Sequence, residues 1–208
     1  MQAKSKKILK IVTGVIVFFT LPSLLLFGFL YFKYNEDLPQ GASGKEADAL
    51  ANKMLVALDY EAYKNTKHLE WTFKKRRHYE LDRVNNICEV HWKANRVVLN
   101  LNDHSQSKVY IHGFKNESDM AEELLIKALN YYNNDSFWVL APYKVFDKGT
   151  ERKIVKTKNN GQALLVTYTS GGSTPGDSYL WLLDNDFKPK AFKMWTSILP
   201  INGLEASW

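Results

Sequence analysis

The chain reads as an α+β protein: a curved antiparallel sheet, an unclosed barrel, with two helices on its concave side, preceded by one transmembrane helix. Three observations predict this. A run of 22 uncharged residues, Ile11 to Phe32, stands close to the amino terminus. Two later stretches repeat apolar residues at spacings of three and four. Most of the remainder falls into short aromatic and β-branched segments divided by turn residues.

The amino-terminal run is long enough to cross a bilayer core of about 30 Å as a helix. Pro22 is tolerated in such a helix. A cleavable signal has a shorter apolar region and small residues at its cleavage site. Here the run ends in Phe29, Leu30, Tyr31 and Phe32, and no cysteine follows for lipid attachment. Lys4, Lys6, Lys7 and Lys10 precede the run, whereas Glu36 and Asp37 follow it. The positive-inside rule then makes residues 1–10 a basic cytoplasmic tail, 11–32 a single-pass inner-membrane anchor, and the rest periplasmic. Residues 33–44, with Pro39, Gly41 and Gly44, read as a tether into a domain over 45–208.

Ala47, Leu50, Ala51, Met54, Leu55 and Leu58 make the first amphipathic stripe. Strands are expected at 69–73, 77–82, 87–92, 96–101 and 108–112, joined too tightly for parallel crossovers. Ser118 is a suitable N-cap for the second helix, with Asp119, Glu122 and Glu123 in its first turns. Its stripe is Ala121, Leu124, Leu125, Ala128, Leu129 and Tyr132, ending near Asn133-Asn134. The aromatic run Phe137-Trp138-Val139-Leu140 is broken by Ala141-Pro142 and resumes at Tyr143, Val145 and Phe146. Pro142 bars it from a central strand, so it is expected to cross the sheet and plug one face. Further strands are expected at 152–157, 162–169, 179–183 and 191–199, with a hairpin turn at Asn159-Asn160-Gly161 and a loop over 171–178.

Charge and chemistry exclude more than they propose. Net charge is +6, but from residue 33 onward 24 basic residues face 22 acidic ones, which is no nucleic-acid footprint. One cysteine, Cys88, rules out an internal disulfide. His68, His78, His91, His104 and His112 stand isolated, without metal-ligand spacing, and no metal or other cofactor is expected. Asp177 and Ser178 lack a nucleophile elbow, and Gly171 to Gly176 lacks a phosphate loop's lysine. No catalytic residue is assigned. Lys74, Lys75, Arg76 and Arg77 read as a solvated hairpin tip that also suits anionic lipid headgroups. Trp71, Trp92, Phe137, Trp138, Tyr143 and Trp181 belong to an aromatic set larger than one modest core needs. They are the candidate lining of an apolar hollow.

Three segments, LEWTFKKRRHYELDRVNNICEVHW, NDSFWVLAPYKVFDKGTERKI and LLVTYTSGGSTPGDSYLWLLDNDFKPKAFKMW, carry a resemblance over Lys45 to Trp208. The chain resembles a family of uncharacterised bacterial membrane-anchored exported proteins, similar in fold to the outer-membrane lipoprotein carriers (the lipoprotein-localisation-factor fold). The resemblance implies an unclosed barrel with helices over an apolar hollow, and no catalytic residues. Unlike the soluble carriers, this chain keeps its anchor. The expected function is binding of a lipid or acylated partner such as a lipoprotein. The alternative is a structural or protein-interaction module of the envelope with a filled core.

Asn202-Gly203 signals a last hairpin, with Leu204–Trp208 expected to pair onto Met194–Ile198. Relatives of the resembled family continue further, so a chain extending past Trp208 is expected.

Overall fold

The computed structural model describes residues 2–157, 161–171 and 173–208. The first helix, α1 (Gln2–Tyr34), holds the apolar run, and an 18-residue window within its stretch Lys6–Tyr34 has a mean hydropathy of 2.3, with none of that window buried against the protein. Length and composition suffice for a membrane span. Beyond it the chain is α+β and wholly antiparallel.

Two sheets replace the single one expected. The first is a six-stranded meander of β1 (His68–Phe73), β2 (Arg77–Asp82), β3 (Ile87–Trp92), β4 (Asn95–Asn100), β5 (Lys108–Ile111) and β6 (Phe114–Asn116). The second meander is β7 (Thr150–Lys156), β8 (Gln162–Tyr168), β9 (Ser178–Leu183), β10 (Pro189–Trp195) and β11 (Leu204–Ser207). Alternation within a strand says which residues share a face, but nothing about which sheet the strand joins. The break falls where a long helix interrupts the strand series. The expected turn at Asn159-Asn160 lies outside the described residues, as does Gly172 in the loop before β9.

The first sheet buries one face by register, and the second buries both. Across the first, Trp71, Tyr79, Val90, Val97 and Val109 stand directly opposite one another in one row. Across the second, Leu164, Trp181, Phe192 and Ala206 form the matching row. The helices do not share one concave side. Helix α2 (Lys45–Ala57) precedes the first sheet but packs Leu50, Ala51, Met54 and Leu55 on the second. Its Asp48 Oδ1 accepts from Arg152 Nε of β7 at 2.6 Å. A short α3 (Tyr60–Asn65), capped by the Asp59 side chain on the Ala62 amide, leads into β1.

Helix α4 (Asp119–Leu140) joins the two cores. Its amino-terminal two-thirds lay Ala121, Leu124, Leu125 and Ala128 against the first sheet, while Phe137 and Trp138 reach the second. The aromatic run expected to cross a sheet as a plug is therefore the last turn of this helix. Pro142 follows in a 3-10 turn, Ala141–Lys144, where a missing backbone donor costs little. Nothing local to Phe137–Leu140 forbids helix, so the stripe that starts at Ala121 simply continues.

The tether is bound at both ends. Glu36 Oε2 meets Lys193 Nζ at 2.7 Å, and Trp195 Nε1 donates to the Glu36 carbonyl at 2.8 Å. Six residues on, Ala42 pairs antiparallel with Ile154 of β7. Between β10 and β7 lie three interstrand spacings, about 14 Å. Five to six residues reach about 17–20 Å when extended. Residues 36–42 are therefore long enough to span from Trp195 at one end to Val155 at the other, both on the face that also holds Ala163, Leu165 and Leu180. Gly41 permits the close approach: a Cβ there would stand 2.7 Å from the Ile154 carbonyl.

Strand β11 pairs four residues nearer the start of β10 than expected, Leu204 with Met194 and Ser207 with Ala191. An eight-residue loop, 196–203, joins the two strands, and at its end Gly203, at φ +77°, donates its amide to the Met194 carbonyl.

Candidate functional site

The six aromatics proposed to line a hollow do not meet in one. Trp71 and Trp92 belong to the first core; Phe137, Trp138, Tyr143 and Trp181 belong to the second. Each is packed on other rings. Trp71 stacks on Tyr79 at 4.8 Å, and Trp92 meets Tyr131 edge to face at 5.6 Å. Phe137 lies 4.4 Å from Tyr179, Trp138 lies 5.5 Å from Phe192, and fully buried Trp181 meets Phe192 at 5.7 Å. Aromatic side chains carry the largest apolar area per residue, and offset contacts of this kind fill space efficiently. Two sheets need two cores, which absorbs the excess that one core could not.

Tyr143 sits where the cores touch. Its ring lies parallel to Tyr63 at 4.2 Å, and the Arg83 guanidinium covers the far side of Tyr63 at 4.0 Å. Burial pushes the Tyr63 hydroxyl up from its ordinary value, with Arg83 opposing. Arg83 also donates to the Tyr63 and Thr66 carbonyls, fixing the chain between α3 and β1.

The basic tip divides. Lys74, Lys75 and Arg76 are exposed, with Lys74 and Lys75 both in the left-handed region at φ near +50°. Arg77 is not part of that surface. Its guanidinium grips Asp135 of α4 with both arms, Nε to Oδ2 at 2.5 Å and Nη2 to Oδ1 at 3.0 Å. The Tyr79 hydroxyl donates to the same Oδ2, and Asn134 Nδ2 to Oδ1 at 2.8 Å. Asp135 is fully buried, and four donors converge on its two oxygens. The Asp135 partner raises Arg77, and burial followed by the same carboxylate raises Tyr79. The Arg77 plane also stacks on Tyr131 at 4.3 Å. These contacts lock α4 to the first sheet.

Two histidines that look isolated in sequence are neighbours in space. His78 and His91 stand directly opposite across β2 and β3, on the solvent face, with ring centroids 5.8 Å apart. Glu80 Oε1 lies 3.5 Å from His78 Nε2 and 3.6 Å from His91 Nε2, with Glu70 and Glu89 flanking. Among the described residues, no group of three or more His, Cys, Asp or Glu is set to hold a metal ion. The strand register could have revealed this pair: one hairpin offset aligns 78 with 91. Cys88 lies beneath this face, buried, its thiol pushed up to about 12 by burial and by Glu89 and Glu80. It is inert as a nucleophile.

Among the described residues, two surface clefts are lined by none of the six aromatics. One of about 420 Å³ lies between β5, β6 and the start of α4, bordered by polar and apolar groups alike. The other, about 430 Å³, is bordered by Leu55, Val56, Tyr60 and Phe146, with Asn52, Asp59 and Glu61. In comparison with known proteins, the chain matches no family profile, no curated protein and no solved structure.

Proposed function

We propose that this chain is a membrane-anchored, non-catalytic interaction module of the cell envelope, holding a filled two-sheet domain outside the cytoplasm. One observation carries the reading: the apolar helix is bound to the folded part at both ends of a seven-residue strap, while the aromatics thought to serve a ligand serve the cores. A strap of this kind suits a protein whose orientation at a membrane matters. A free tether would suit a carrier that must swing.

A second reading, binding of an acyl chain, keeps one supporting feature. The cleft beside α2 falls within the usual size range of ligand sites, about 300–1,000 Å³, and exposes Val56 at 80% and Phe146 at 40%. Native mass spectrometry of the detergent-extracted full chain separates the two. The interaction reading expects the bare polypeptide mass. A stoichiometric lipid adduct that disappears in Val56→Glu would replace it with the acyl-binding reading.

A further inference from the structure

The loop between β10 and β11 lies where α1 ends. Tyr34 is the last residue of that helix, and Asn35 and Glu36, the next two, both bond to Asn202. Asn35 Oδ1 accepts from the Asn202 amide at 2.9 Å, and the Glu36 amide donates to the Asn202 carbonyl at 3.0 Å. Glu36 is held further by Lys193 and Trp195. Gly203 is buried under the junction; a Cβ there would lie 2.7 Å from the Glu36 Cβ. On the other side of the loop, the Ser197 amide donates to the buried Asp177 carboxylate at 2.9 Å. Its two ends are thus fixed, one to the helix exit and one to the sheet.

What the loop presents between those ends is apolar. Ile198, Leu199, Pro200 and Ile201 follow one another, and no charged residue occurs from Thr196 to Leu204. Ile198 is 68% exposed and Pro200 is exposed beside it. A short apolar run on a solvated turn costs free energy unless something covers it. The interfacial layer of a bilayer extends about 5–8 Å beyond the hydrocarbon. A loop bonded to the first two residues past a membrane helix stands at that depth.

We propose that the loop 197–203 is a second membrane contact, inserting Ile198 and Pro200 into the lipid interface beside α1. The partner is the lipid surface itself. This rests on the anchor reading of α1 and adds to it: the domain sits on the bilayer in one orientation, pivoted at the Asn35–Asn202 junction. Because Cys88 is buried, a cysteine introduced elsewhere takes a fluorophore selectively.

The test uses the full chain in phosphatidylcholine–phosphatidylglycerol vesicles, carrying an environment-sensitive dye at Ile198→Cys. Val84→Cys, on the exposed β2–β3 turn of the first sheet, is the aqueous reference, and Leu21→Cys reports on the middle of α1. The expected result is severalfold stronger quenching at 198 than at 84 by a lipid nitroxide near the headgroup, with slower reduction of the dye by aqueous dithionite. Equal behaviour at 198 and 84, with position 21 quenched by a deep nitroxide, overturns the loop contact and leaves the anchor standing. Absence of quenching at 21 overturns both.

Discussion

Replacing Asp135 by Asn probes the joint between helix and sheet. The substitution keeps the shape and removes the charge. An amide nitrogen then faces the Arg77 and Tyr79 donors that the carboxylate accepted. Arg77 is only 20% exposed at its side chain and Tyr79 is fully buried, so neither donor finds water easily. Breaking a buried ion pair by removing one partner costs about 3–5 kcal/mol. At roughly 2–4 °C per kcal/mol for a chain of this size, the midpoint falls by about 6–20 °C. Intrinsic tryptophan fluorescence during heating of the detergent-solubilised chain reads the transition directly. The triple replacement Asp135→Leu, Arg77→Met and Tyr79→Phe should recover most of the loss, because apolar groups of similar volume commonly substitute for a buried pair. A midpoint within about 1 °C of the parent for Asp135→Asn alone would refute the claim that this charge is held by its neighbours.

Other perturbations reach other joints. Gly203→Ala meets a backbone at φ +77° and the Glu36 side chain together, so it should lower stability by about 1–3 kcal/mol, seen as a lower thermal midpoint. Alkaline pH should destabilise the chain. Tyr79, Tyr132, Tyr168 and Tyr179 are all raised from 10.0, chiefly by burial. Above that value the unfolded chain releases protons that the folded one keeps, so stability is flat in these groups below it and falls as pH rises through it, by equilibrium unfolding across pH 9–11.5. Lys74→Glu with Lys75→Glu should weaken cosedimentation with anionic vesicles at low salt, measured for the full chain in detergent-free lipid particles, whereas Arg77, already paired with Asp135, should contribute nothing to that attraction.

Much of the fold is legible because its signals are local. Strand limits at Arg77–Asp82 and Ile87–Trp92 follow from turn residues beside them, and the turns there do place Lys75 and Asn86 at positive φ. The apolar run of α1 is read from composition alone. What escapes is set by distant partners. Asp135 finds Arg77 58 positions away, and Glu36 finds Lys193 157 positions away. No periodicity encodes either. The split into two sheets escapes for the same reason, and with it the fate of the aromatics: Trp71 and Trp181 show identical local patterns whether one core or two receive them. β6 escapes because Phe114–Asn116 is too short to alternate. The strap escapes because Pro39, Gly41 and Gly44 signal an irregular segment equally well whether it is free or bound.

The central claim, a domain strapped outside the cytoplasm to a membrane helix, is tested most directly by labelling single cysteines in intact cells. Val84→Cys stands on the exposed β2–β3 turn and Lys7→Cys on the basic side of α1. A membrane-impermeant maleimide, given access to the periplasm by opening the outer membrane where one is present, should label position 84 at once and position 7 only after the inner membrane is permeabilised. Labelling of position 7 with protection of position 84 would contradict the account.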